Sequence, residues 1–120
     1  MTTPAFVILY VDAPERSARF YAELLGRPVL QSSPTFAMLP LGPGLALGLW
    51  SRHTVEPRGD GAGATGEIAF TDPDVDAVHA DWARRGLPIL QPPTDMDFGR
   101  AFTAVDPDGH RLRVFTPSGG

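Results

Sequence analysis

The sequence predicts an α+β fold: two tandem βαβββ modules forming a curved mixed sheet around a cleft, with helices on the outer face. Three observations carry this. First, the chain repeats itself: Ile8-Leu9-Tyr10-Val11-Asp12, then Gly26, Pro28, Val29, Leu30 and Gln31, is echoed by Ile68-Ala69-Phe70-Thr71-Asp72, then Gly86, Pro88, Ile89, Leu90 and Gln91, at an offset of about 60 residues. Second, each copy has an apolar strand pattern followed by a helical one that ends at glycine. Third, the remaining strands are short and separated by Gly/Pro turns. The modules cover residues 5–51 and 66–117 of one domain spanning 1–120.

Within the first module, Phe6–Val11 is a β-branched and aromatic run suited to a strand. Pro14 sits at a first helical position, where its missing N–H is no loss. Ser17, Phe20, Tyr21, Leu24 and Leu25 form a mostly apolar stripe at helical spacing, and Gly26 is the stop. Strands follow near Pro28–Gln31, Phe36–Leu39 and Leu45–Trp50, the last two joined by Gly42-Pro43-Gly44.

A Gly-rich, charged linker over 51–65 leads into the second module. Its elements come in the same order: a strand at Glu67–Thr71, then Asp72-Pro73-Asp74 as the cap of a helix that buries Val75, Val78 and Trp82 and ends at Gly86. Strands at Leu87–Gln91, Ala101–Val105 and Arg111–Phe115 complete it, with Asp106-Pro107-Asp108-Gly109 as a tight turn.

Because side chains alternate along a strand, parity assigns faces. Leu45, Leu47 and Leu49 suit packing on helices, whereas Ala46, Gly48 and Trp50 look the other way, two small residues beside a large ring. The same reasoning sends Val7, Leu9 and Val11 toward the helices and Phe6, Ile8 and Tyr10 toward the cleft. In the second module Ile68, Phe70, Leu112 and Val114 face the helices; Glu67, Ala69, Thr71, Arg111, Arg113 and Phe115 face the cleft.

Composition narrows the function. A net charge of -4 with no basic stripe argues against nucleic acid. No apolar run approaches a membrane span and no basic-then-apolar leader pattern opens the chain, so a cytoplasmic protein is expected. With no cysteine there is neither a disulfide nor a thiol nucleophile. The spacing of His53, His79 and His110 matches no zinc motif; His79 is expected on the exposed side of its helix. No phosphate-binding glycine loop or Ser/His/Asp signature is present.

The paired modules, the segment Glu15-Arg16-Ser17-Ala18-Arg19-Phe20-Tyr21 and the turn Asp106-Pro107-Asp108-Gly109-His110 resemble the vicinal oxygen chelate superfamily of glyoxalases, extradiol dioxygenases and bleomycin resistance proteins. Metalloenzymes of that superfamily place His, Glu or Gln at points equivalent to Phe6, Gly48, Glu67 and Arg113; only Glu67 could ligate a metal. Thr94 to Phe102, the Asp106–His110 turn with Arg113-Val114, and Leu49-Trp50-Ser51 are similar to the phenazine-antibiotic resistance proteins. That resemblance implies metal-free, non-catalytic binding of a planar aromatic antibiotic or metabolite, no cofactor, and a homodimer. The alternatives are a metal-dependent glyoxalase- or dioxygenase-type enzyme with relocated ligands, and a ligand-free dimerisation module.

On this reading Trp50 stacks on a flat ligand in the room left by Ala46 and Gly48, with Phe36, Phe98 and Phe6 as further ring partners. Arg100 is expected either to bind a ligand carboxylate or to form a salt bridge with Asp95 or Asp97. Glu67 and Arg113 are expected to pair in place of a metal.

Overall fold

The computed structural model describes residues 2–58 and 65–118. Its elements are β1 (Thr3–Val11), α1 (Pro14–Leu25), β2 (Gln31–Ser32), β3 (Phe36–Gly42), β4 (Leu45–Ser51), β5 (Gly66–Thr71), α2 (Val75–Arg84), β6 (Ile89–Met96), β7 (Gly99–Val105) and β8 (Arg111–Pro117). They form one eight-stranded curved sheet in the order β2-β3-β4-β1-β5-β8-β7-β6. Exchanging the modules reverses this order onto itself, so the repeat seen in the sequence becomes a pseudo-two-fold across the antiparallel β1–β5 seam. Within each module the first strand pairs in parallel with the last, β1 with β4 and β5 with β8. This is the pairing a helical crossover permits.

Each module has its own core between helix and sheet. Ala18 of α1 meets Ala37, Leu39, Leu47 and Leu49, with Leu9, Val11 and Tyr21 at its margin. Val75, Phe102, Ala104 and Val114 form the second, bordered by Phe70, Val78, Trp82 and Ile89. The parity assignment of β1, β4 and β8 therefore describes the real layers. Among the described residues no helix is long and apolar enough to cross a membrane.

Several expectations are corrected. Helix α1 buries Pro14 and Ala18 rather than Phe20 and Leu24, which are 60% and 66% exposed. Small alanines let the helix sit close to β3, and Phe20 and Leu24 lie around the cylinder from that line. Pro28–Leu30 is not strand; β2 comprises only Gln31 and Ser32. Strand β6 runs to Met96, with register shifts that absorb Pro92 and Pro93. Ile68 faces outward as expected but is uncovered, because each helix lies over its own module and leaves the seam, with Val7 opposite Ile68, exposed. His79 is not on the exposed side of α2: its ring lies 5.3 Å from that of Phe102. The linker begins after Ser51, the last residue of β4, and its residues 59–64 lie outside the described residues.

Helix ends follow local chemistry. Gly26 takes a left-handed conformation (φ 64°) and its N–H donates to the Ala22 carbonyl, closing α1. Asp74 caps α2 by accepting a hydrogen bond from the Ala77 N–H at 3.1 Å.

Candidate ligand-binding face

The concave face of the sheet is lined by side chains of even parity on β1, β3 and β4 and odd parity on β5, β7 and β8. Five partly exposed rings meet there. Phe6 lies 6.3 Å from Phe36 and 6.2 Å from Phe115; Trp50 lies 6.3 Å from Phe36 and 5.8 Å from Phe98; Phe98 lies 5.8 Å from Phe115. Most of these contacts are edge-to-face, the geometry favoured by ring quadrupoles. The rings come from both modules and span the seam.

Beside them lies a buried polar centre. Arg113 and Glu67 are 1% and 0% exposed at their side chains, and the Arg113 Nε donates to Glu67 Oε2 at 2.7 Å while Nη2 donates to Oε1 at 3.1 Å. The Tyr10 hydroxyl also donates to Glu67 Oε1, at 2.6 Å. Burial, and then the adjacent carboxylate, raises the Tyr10 phenol pKa above its ordinary value. The Arg113 guanidinium covers the Trp50 ring at 4.7 Å and lies 5.9 Å from the Phe98 ring.

The linker reaches onto this face. Arg113 Nη2 donates to the Glu56 carbonyl at 2.7 Å, and Arg111 donates to the carbonyls of Pro57 and Arg58. Three successive carbonyls are thus held by two arginines from alternate positions of β8, and Val55 is buried beside them. His53 meets Asp12 at 2.7 Å, and that hydrogen bond, foremost among several effects, lowers the Asp12 pKa.

The expected site residues fall into two groups. Phe6, Phe36, Trp50 and Phe98 are brought together, and the expected Glu67–Arg113 pair is present. Two expectations about space and charge are corrected. Gly48 leaves no free room: a Cβ there would lie 3.0 Å from Ile8 Cγ1 and 3.1 Å from Phe36 Cζ, so its missing side chain is filled by those neighbours. Arg100 lies off the concave face. It donates to both carboxylate oxygens of Asp76 on α2, at 2.9 and 3.0 Å, and to Asp95 at 2.9 Å. Of its two expected roles, the structure shows the salt bridge, with Asp95 rather than Asp97 and with Asp76 as an added partner. The parity of β7 explains this, since neighbouring Phe102 points into the second core.

Sequence reasoning did not include Tyr10 and Phe115 among the binding residues, although parity had already turned both toward the cleft. The capture of the linker carbonyls left no sequence signal.

The residues present do not fit a divalent metal. Of the four positions equivalent to ligands, one is a ring, one has no side chain, and the guanidinium of the third engages the carboxylate of the fourth. Among the described residues no group of three or more His, Cys, Asp or Glu converges.

A model of the Glyoxalase/Bleomycin resistance protein/Dioxygenase superfamily matches residues 3–114. The phenazine antibiotic resistance protein EhpR of Enterobacter agglomerans is 30% identical over 118 residues, covering 93% of this chain and 90% of its own. A crystal structure described as an NAD-dependent benzaldehyde dehydrogenase from Legionella pneumophila superposes with a TM-score of 0.86 at 42% identity, covering 94% of this chain and 98% of that one. Methylmalonyl-CoA epimerase of Streptomyces coelicolor, at 23% identity, shares the fold with a TM-score of 0.73, over 99% of this chain and 100% of its own.

Proposed function

Because the chain belongs to the Glyoxalase/Bleomycin resistance protein/Dioxygenase superfamily, we propose that it binds a planar aromatic antibiotic or metabolite of the phenazine type on its concave face and sequesters it unchanged. The observation that carries this reading is the contiguous set of five partly exposed rings beside a buried arginine. Apolar rings left partly in water across two modules are a surface with an occupant to gain. A flat ligand would exchange ring-to-ring contacts for stacking on Trp50, Phe98 and Phe36, at about 0.5–1.5 kcal/mol per pair beyond burial. The similarity to EhpR, a phenazine antibiotic resistance protein, supports the ligand class.

Sequestration needs affinity and no reacting group. Glu67 accepts hydrogen bonds from both Tyr10 and Arg113, an arrangement suited to holding a wall of the cleft in place. The test is incubation with phenazine followed by chromatographic recovery: all of the compound returns unchanged, and uptake saturates at a fixed ratio to protein. Loss of phenazine with appearance of a product would refute the non-catalytic part. The Legionella likeness motivates a second reading, oxidation of an aromatic aldehyde. Benzaldehyde with NAD gives no rise in NADH absorbance if the first reading is right.

The homodimer implied by the resemblance would cover the exposed outer side of the seam at Val7 and Ile68. Sedimentation equilibrium is expected to give twice the chain mass; a monomer at micromolar concentration contradicts that pairing.

A further inference from the structure

Resting on the binding reading above, we propose that the second-module flank of the concave face contains a polar subsite, formed by Gln91, Thr103 and Arg113, that recognises a neutral donor–acceptor edge of carboxamide type on the flat ligand. The three residues form a row. Gln91 is opposite Thr103 across β6 and β7, and Thr103 is opposite Arg113 across β7 and β8. Directly opposed residues share a face of a sheet, so all three lie on the side of the rings.

What distinguishes this row is unmet hydrogen bonding. Thr103 is 0% exposed, and its hydroxyl has no partner. The buried Oε1 of Gln91, its cross-strand neighbour, has none either. Among the described residues these are the two buried side-chain polar atoms left unpaired, and they belong to residues opposite each other in the ladder. Buried polar atoms are nearly always bonded, and leaving one unpaired is costly. Arg113 has the complementary deficit: Nε and Nη2 bind Glu67 and the Glu56 carbonyl, while Nη1 meets the Met96 thioether at 3.8 Å, a weak acceptor.

The chemistry selects the ligand group. Nη1 offers a donor, Oε1 an acceptor, and the Thr103 hydroxyl serves as either. Their complement is an acceptor and a donor on one edge. Charge narrows it further, because Glu67 already neutralises Arg113. A ligand carboxylate would bring a second negative group to a buried guanidinium that has its counter-ion. A carboxamide satisfies the donors and acceptors without that penalty. The guanidinium covers one face of Trp50, so the row begins where the aromatic wall ends, and a flat ligand lying on the rings would meet it edge-on.

Calorimetric titration of the full chain at pH 7.5 with phenazine, phenazine-1-carboxamide and phenazine-1-carboxylate tests this. The carboxamide is expected to bind about tenfold more tightly than phenazine, as one to two well-made hydrogen bonds give, and the carboxylate no more tightly than phenazine. Thr103→Val is expected to bring the carboxamide down to the level of phenazine while leaving phenazine affinity and the unfolding midpoint unchanged or raised; Thr103→Ser is expected to keep the preference. Equal binding of phenazine and carboxamide, a preference for the carboxylate, or a preference that survives Thr103→Val overturns the subsite and leaves the binding reading intact. Failure of all three compounds to bind overturns both.

Discussion

At the scale of single residues, the decisive group is Arg113. It joins the Glu67 carboxylate, the Trp50 ring and the Glu56 carbonyl, so it fixes the polar centre, the aromatic wall and the linker together. Removing one member of a buried ion pair strands the other, and Arg113→Met is expected to destabilise the fold by about 3–5 kcal/mol. The double variant with Glu67→Leu should recover most of that loss. Urea unfolding checks both, and a double variant no better than the single one contradicts the ion-pair account. Tyr10→Phe removes one donor to the charged Glu67 and is expected to cost about 1.5–3 kcal/mol. The pair was legible in the sequence because parity put Glu67 and Arg113 on one face. Arg100 was only partly legible: Asp95 lay within its own hairpin, whereas Asp76, on a helix 24 residues earlier, is brought to it only by packing.

At the scale of elements, the boundaries were read best where backbone chemistry is local. The Gly26 stop and the Asp74 cap follow from a left-handed conformation and a short side chain, each visible in a few residues. Asp74→Ala is expected to cost about 1 kcal/mol by leaving an orphan N–H at the start of α2, measured by thermal unfolding. The buried face of α1 was misread because alanine counts little in an apolar pattern yet permits the closest packing. Side-chain hydrogen bonds also tie turns to pH. The backbone N–H of His110, foremost, and that of Asp108 lower the Asp106 pKa, and Arg100 does the same for Asp76. A carboxyl group whose folded pKa is depressed contributes its stability above the unfolded pKa of about 4 and loses it as pH falls through the folded value. The urea midpoint is therefore expected to fall between pH 5 and pH 3, and Asp106→Asn should show a smaller fall than the parent chain. An equal or larger fall in that variant would count against the turn as a source.

At the scale of the whole molecule, the repeat became a pseudo-two-fold, and the two halves share a fold while dividing the chemistry of the concave face. The first module contributes Phe6, Tyr10, Phe36 and Trp50; the second contributes Glu67, Phe98, Arg113 and Phe115. Most of this division was legible from the internal repeat and from strand parity, a property of single strands; Phe98 lies in the turn between β6 and β7, outside parity's reach. The filling of the Gly48 position by Ile8 and Phe36, and the capture of linker carbonyls by Arg111 and Arg113, were not. They depend on side chains far apart in sequence meeting across the sheet. The same ring cluster supplies the central claim, that the concave face takes a flat aromatic ligand against Trp50. Calorimetric titration of the parent chain and of Trp50→Ala with phenazine tests it most directly. Saturable binding by the parent, weakened about tenfold or more in the variant by the loss of stacking and burial, is the expected result. Equal binding by the two proteins, or none by the parent, contradicts it.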